Sequence, residues 1–406
     1  LSGGWKWIPT ATFNNELRGG FFMQRSKFFG DVVHSRGFRI NLPLNPQETA
    51  EVFTNPVQNF LQQGRNVDTW EIMDNAGKSW GNHFFRFGGN YRLVLLDPFN
   101  AGGTIPTVTL GFNDVGTINP LDPAQFPGGI GSTDFTNATN ILALLTGSQR
   151  RLEETFNATS ATSGFLRNQI NLQNYRYWNI GPYVGDTWRF RDNLTLNFGL
   201  RWEFISVPNE ENGLLALPIG TGLDVLTTNA EVGAASGGGR PLYNNDWNNF
   251  APSFSFAWDP FRDGKTSVRG GYGISYVIDN NITTINNAAS RGFTRDIQRD
   301  DLEGTLSDGV QSIPVPAFVM PFRIRDVFEN EDPASALFTI DPNLRTPYVQ
   351  QWNFGIQREI LRDTIAEVRY VGNRGVKLTR GVDINQQRIF NGGFFADFQR
   401  ARFNLF

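Results

Sequence analysis

The sequence predicts an all-β protein, an incomplete portion of a large antiparallel transmembrane β-barrel with long extracellular loops. Three observations predict it. Apolar and polar residues alternate over strand-length stretches, these stretches come in pairs joined by short charged turns, and long polar connections separate the pairs. The alternation is clearest after Asn193, where Leu194, Leu196, Phe198, Leu200, Trp202 and Phe204 are interleaved with Thr195, Asn197, Gly199, Arg201 and Glu203. Successive strand side chains point to opposite faces, so this period of two makes one apolar and one polar face. Held over about eleven residues, it reaches the roughly 9–11 residues that cross a bilayer at a tilt. Strands of soluble domains have a mode of about 5–6 residues.

The pairs follow one design. Residues 175–188 lead through the link Arg189-Phe-Arg-Asp-Asn193 into the stretch just described. Phe250, Pro252, Phe254, Phe256 and Trp258 lead through Asp259-Pro-Phe-Arg-Asp-Gly-Lys265 into Val268, Gly270, Tyr272, Ile274 and Tyr276. Tyr348, Trp352, Phe354 and Ile356 lead through Glu359-Ile-Leu-Arg-Asp363 into Thr364, Ala366, Val368 and Tyr370. Pro and Asp-Gly in these links are turn residues. Between the pairs, residues 97–171, 205–248 and 277–346 are rich in Gly, Asn, Asp, Pro and Thr and show no sustained period. Soluble domains seldom carry several such connections. Outer-membrane barrels do, with short periplasmic turns and long extracellular loops. Trp188, Trp202, Trp258, Tyr276, Tyr348 and Trp352, near the strand ends, are then expected in the two interfacial girdles.

The first hundred residues read as strands broken by glycine, among them Trp5-Lys-Trp7, Phe21-Phe22, Phe28-Phe29 and Phe84 to Leu93, with a short helix as an alternative over 43–63. Inside the first long loop, Ser132-Thr-Asp134 is a candidate cap for a helix through Asn137–Leu145. Residues 394–406 lack the alternation of a closing strand and read as an amphipathic helix or loop.

Composition agrees with this and removes other classes. Among 406 residues there are 43 Gly and 36 Phe and only 18% charged residues, a balance that suits strands and turns. The absence of cysteine excludes disulfides, thiolate metal sites and a cysteine nucleophile. A net charge of −3 argues against nucleic acid as a partner. No run approaches the apolar length of a membrane-spanning helix; Ile141–Leu145 and Leu93–Leu96 are the best. The mean hydropathy of −0.33 does not count against a barrel, whose apolar residues alternate with polar ones. The sequence opens on Leu1 without a charged start followed by an apolar segment, so no signal peptide is visible within it.

No catalytic, cofactor or metal constellation is expected, and the chain is not read as an enzyme. His34 and His83 are read as incidental strand histidines, and the acidic pairs Glu153-Glu154, Glu210-Glu211 and Asp300-Asp301 as solvated loop charges. Asp296, Asp300, Asp301 and Glu303 carry oxygen ligands at short spacing but lack the glycine-containing calcium loop. Ser236-Gly-Gly-Gly239 lacks the Lys-Ser/Thr of a phosphate loop and reads as flexible.

Several motifs together resemble the barrel of TonB-dependent receptors, and most closely the Oar-like group that bears a carboxypeptidase-regulatory domain. They are Gly181-Pro-Tyr-Val-Gly-Asp-Thr-Trp188, Leu194–Glu203, Asn249-Phe-Ala-Pro-Ser253, Arg269-Gly-Gly-Tyr-Gly273, Thr346-Pro-Tyr-Val-Gln-Gln-Trp-Asn353 and Glu367–Gly375, within a likeness that covers residues 130–400. The resemblance implies a barrel of roughly 22 strands, an N-terminal plug domain, and energy from an inner-membrane TonB complex. No plug domain or TonB-contact segment is found in residues 1–406, which read as one barrel portion of about 10–12 strands. Missing strands or further chains are then expected to close the barrel, because lipid cannot satisfy open strand edges. Expected partners are outer-membrane lipid and lipopolysaccharide, with the TonB complex if the full-length chain has a plug. Three functions are compatible with this: an outer-membrane receptor or transporter for a large or scarce solute, a structural or adhesive surface protein, and a soluble secreted carbohydrate-binding β-protein.

Overall fold

Ten strands form one antiparallel wall in chain order. The computed structural model describes residues 1–30, 37–42, 61–113, 118–220, 230–235, 239–277, 292–323, 325, 339–382, 390 and 392–404. His34, residues 43–60 of the alternative helix and residues 236–238 of the glycine run lie outside these. The wall consists of β1 (Ser2–Thr10), β2 (Phe13–Phe28), β3 (Gln63–Trp80), β4 (His83–Asn100), β5 (Tyr183–Arg191), β6 (Leu194–Trp202), β7 (Phe250–Trp258), β8 (Thr266–Tyr276), β9 (Tyr348–Leu361) and β10 (Thr364–Val376). Each pairs antiparallel with the next. The three hairpins expected from the sequence are β5–β6, β7–β8 and β9–β10, and β1–β2 and β3–β4 add two more. Every short turn therefore lies at one end of the wall and every long connection at the other. Among the described residues β1 pairs only with β2 and β10 only with β9, so this part of the wall is not closed.

Local chemistry makes the turns. Gly81 (φ 57°) and Asp363 (φ 63°) take the left-handed backbone that the tightest links require. In the longer β7–β8 link the Asp259 carboxylate accepts hydrogen bonds from the N–H groups of Phe261, Arg262 and Gly264 at 3.2, 3.0 and 2.8 Å, fixing the loop from within. The single strand expected over 175–188 is interrupted at Gly181-Pro182, because Pro182 has no N–H to give the ladder. Its two parts, Tyr175–Ile180 and β5, still keep one register against β4, with Ile180 opposite Tyr91 and Tyr183 opposite Gly88. A Cβ on Gly88 would fall 2.0 Å from the Asp74 carbonyl oxygen, so the close β3–β4 approach there requires glycine.

The long connections are not structureless. Thr294–Arg299, Gln149–Asn157, Thr107–Leu110 and Arg39–Asn41 form a four-stranded sheet, and Leu215–Ile219, Glu231–Ala235 and Phe322–Arg323 a three-stranded one. Between them lies the larger hydrophobic core, which includes Val108, Leu152, Phe156, Val232, Phe293, Leu302 and Phe322. A second cluster joins this loop layer to the wall, packing Leu215, Leu217, Ala235 and Leu242 against Leu96 of β4 and Tyr175. Helix α1 (Ser132–Thr146) begins one turn earlier than the expected cap implied. Gly131 is its N-cap, so Ser132-Thr-Asp134 forms the first turn, where Asp134 complements the helix dipole. Helix α2 spans Phe394–Phe403, within the stretch read from sequence as an amphipathic helix or loop.

Candidate functional site

Register across the wall sorts its side chains into two faces. Directly opposed residues share a face, so Leu196 with Phe256, Phe198 with Phe254, Tyr272 with Trp352 and Phe354 with Tyr370 belong to one. Among the described residues no packing layer covers the middle of this face: Phe198 is 45% exposed and Phe354 47%. The other face is the one on which the Leu96–Tyr175 cluster and the loop layer sit, and we call it the inner face. From β5 to β9 it carries Tyr183, Asn197, Gly199, Ser253, Ser255, Gly271, Gly273, Gln351 and Asn353, which line an open cleft of about 710 Å³.

Hydrogen bonds run across that cleft. The Thr187 hydroxyl donates to Asn197 Oδ1 at 2.7 Å, and Asn197 Nδ2 donates to Ser255 Oγ at 3.1 Å, tying three strands at one level. Arg201 reaches from β6 to Asn90 of β4 and to Glu203. It passes over Gly181, where any Cβ would collide with the guanidinium. Nearer β1 the inner face is charged instead: Glu16 meets Arg18 at 2.7 Å and Lys6 at 3.7 Å, and Glu71 meets Arg92 at 3.2 Å. Away from the Leu96–Tyr175 cluster the inner face is thus largely polar, with compensated charges at one side and small neutral groups at the other. It can hydrate a solute and exchange hydrogen bonds with it.

The six aromatic residues singled out by the sequence all lie on the outer face, the parity of Leu196 and Phe354. Trp188 and Trp258 stand at the short-turn end, beside Phe190 and opposite Leu194 respectively. Trp202, Tyr276 and Tyr348 stand at the loop end; Trp202 stacks on Trp247 at 6.3 Å and Tyr276 on Tyr348 at 5.5 Å. Trp352 lies further into β9, its indole covering Gly372. His83, read from sequence as incidental, has a defined setting. Its Nδ1 is 2.6 Å from the Asp186 carboxylate, and its ring stacks on Phe85 and Trp188.

The loop acids are separated rather than paired. Glu154 is buried against Arg167 at 2.7 Å, while Glu153 faces Arg151. Glu210 accepts hydrogen bonds from the N–H groups of Asn174 and Leu214, while Glu211 faces Arg176. Two of the four suggested calcium ligands are taken by arginines, Asp300 by Arg151 and Asp301 by Arg299. Asp296 accepts from Thr155. Sequence reasoning missed the inner-face ladder, although its signal was present in the odd-numbered residues between the apolar ones of β6.

The sequence profile described as Outer membrane beta barrel domain matches residues 1–402. No match to a curated protein was found. Among solved structures, the outer membrane transporter YddB from Escherichia coli is 11% identical with a TM-score of 0.41, the match covering 91% of this chain and 39% of YddB. The FrpB iron transporter from Neisseria meningitidis is 10% identical with a TM-score of 0.37, over 92% of this chain and 36% of FrpB. The toluene transporter TodX from Pseudomonas putida is 7% identical with a TM-score of 0.29, over 92% of this chain and 67% of TodX. The chain therefore spans under two fifths of the length of the first two.

Proposed function

The chain belongs to the outer membrane beta barrel domain family, and from that premise we propose that its ten strands are part of the wall of a TonB-dependent receptor for a large or scarce solute. Membership places it in the bacterial outer membrane and sets aside the soluble secreted reading. The observation that carries the proposal is the loop layer, which has its own buried core and is folded over the inner face at the long-loop end. A purely structural wall has no need of an ordered mouth, whereas a receptor gains from binding groups held by rigid neighbours. The polar inner face is the second support, because a solute crossing beside it meets hydroxyls, amides and glycines rather than hydrocarbon.

In this reading residues 1–406 are one barrel portion, and further strands and a plug complete it. The inner-membrane TonB complex supplies energy through that plug. The apolar outer face meets lipid. Trp188 and Trp258 form the periplasmic girdle, Trp202, Tyr276 and Tyr348 the outer one beside lipopolysaccharide, and Trp352 lies just inside it. The motifs from Gly181 to Gly375 support reading the receptor as one of the Oar-like group. The test compares uptake of labelled ferric siderophores, oligosaccharides and oligopeptides by cells carrying or lacking the gene, with and without TonB. TonB-dependent uptake of one of these is expected. Equal uptake by both cell types leaves a structural or adhesive wall and overturns the receptor reading.

A further inference from the structure

A second cavity, of about 680 Å³, lies where the loop ends of β2, β3 and β4 face the strands Gln149–Asn157 and Thr294–Arg299 of the loop layer. Its volume falls within the range of small-molecule sites. Phe28, Gln63, Arg65 and Asn100 line it from the inner face of the wall, Asn171 from the short strand Asn171–Leu172 that pairs with β4, and Asp296 from the loop layer.

What distinguishes this cavity is the hydrogen-bonding capacity left over. Asn100 Oδ1 already accepts the Gly102 N–H at 2.7 Å, which leaves its amide donor free. Asn171 spends its donor on Thr294 Oγ1 at 3.2 Å, which leaves its carbonyl as an acceptor. Asp296 Oδ1 accepts from Thr155 at 2.6 Å, so its other oxygen faces the cavity unused. Gln63 and Arg65 have no side-chain partner among the described residues. The open set therefore holds donors and acceptors in similar number, with one positive and one negative charge. An anion entering meets Asp296 and a cation meets Arg65, so neither is favoured. A hydroxyl gives and takes a hydrogen bond at once and suits both kinds of group. Phe28, 61% exposed, adds a flat apolar ring at the rim, matching the C–H face of a pyranose.

We propose that this cavity is a binding site for a neutral oligosaccharide, and the proposal rests on reading the chain as an uptake receptor. Phe28 stacks on a sugar ring, Asp296 and Asn171 accept from its hydroxyls, and Arg65, Gln63 and Asn100 donate to them. The site lies at the mouth of the wall, so a saccharide is captured before it reaches the inner-face cleft.

The test uses the full-length protein in detergent and isothermal titration with maltohexaose, cellohexaose and chitohexaose, with hexagalacturonate and hexaalanine as charged and peptide probes. At least one neutral hexasaccharide binds, and Phe28→Ala, which removes the stacking ring, and Asp296→Asn each weaken it about tenfold, for Asp296 the size of loss that one hydrogen bond to a charged group supplies. Retained heat-modifiable gel mobility, with loops that stay resistant to trypsin, shows that both variants remain folded in wall and loop layer, and Arg65→Gln gives a third, conservative reading. The proposal is overturned if no neutral hexasaccharide binds, if binding ignores all three substitutions, or if hexagalacturonate or hexaalanine binds more tightly with the same sensitivity. Binding needs no energised membrane. Saccharide binding without TonB-dependent uptake overturns the receptor and spares the site, whereas TonB-dependent uptake of another solute without saccharide binding does the reverse.

Discussion

The wall and the loop layer use the same apolar residues in opposite ways. In the wall Phe198, Phe254 and Phe354 stand out from a single sheet with nothing packed over them, while in the loop layer Leu152 and Phe156 are completely buried. A sheet with one unpacked aromatic face would be an aggregation hazard in water. In a bilayer the lipid takes the place of a second packing layer, so the wall needs hydrogen-bonded neighbours and no core of its own. The loop layer projects into water and obeys the ordinary rule, a closed core with its charges paired. One chain thus holds two regions folded for two solvents, and perturbations should separate them.

The largest effect is expected in the core of the loop layer. Phe156→Ala removes a fully buried ring, a class of change that costs about 3–5 kcal/mol. Arg167→Met, which leaves the buried Glu154 carboxylate unpaired, falls in a similar range of about 3–5 kcal/mol. Both should expose the loops to trypsin while the heat-modifiable gel mobility of the wall persists. Joint loss of loops and wall in either variant would show that the two regions fold as one unit.

Next comes charge on the outer face. Phe198→Arg places a guanidinium mid-strand against lipid, at about 2–4 kcal/mol near the midplane. Asn197→Arg, the adjacent residue on the inner face, should cost much less because that face is polar. Urea unfolding from liposomes measures both. Equal losses would mean that the outer face of β6 is not in contact with lipid.

The contrast also explains what the sequence made legible. The wall's signal is local: each of β6 to β9 writes its two faces as alternating residues, and Asp259 or Asp363 marks the turn. β1 to β4 were harder, because Gly19-Gly20 and Gly88-Gly89 interrupt the apolar pattern where strands approach closely. The loop layer was invisible because its core joins Val108, Leu152, Val232, Phe293 and Phe322, residues far apart in the chain with no local period. The inner-face ladder is intermediate. Thr187, Asn197 and Ser255 were readable as polar positions, but only register brings them to one level.

A smaller effect tests the turns. Asp259→Ala removes the carboxylate that fixes the β7–β8 link and should cost about 1 kcal/mol, by analogy with loss of a helix cap. Because the link lies outside the apolar band, the loss should be the same in thick and thin bilayers, whereas that of Phe198→Arg should depend on thickness. A thickness-dependent Asp259→Ala would place this turn within the lipid.

The smallest effect should come from acid, and it should again divide the two regions. In the loop layer, burial pushes the Asp300 carboxyl up, but the hydrogen bonds from Arg151 and Gln298 and the charges of Arg151 and Arg150 together hold the group below its ordinary value. The hydrogen bond from Arg299 lowers Asp301, and the Thr305 N–H lowers Asp308. A carboxyl whose folded value is depressed stabilises the fold fully above its unfolded value, about 4 for Asp. That contribution is lost as pH falls through the folded value. Hydrogen exchange in the Leu306–Asp308 turn and the Thr294–Arg299 strand should therefore quicken below pH of about 4, while amides of β6 to β9 stay protected by their paired neighbours. These carboxylates are largely exposed, so screening keeps the effect small and salt should shrink it further. Acid-induced exchange in β6 to β9 at the same pH would mean that the wall depends on the loop layer, which would remove the separation the comparison rests on.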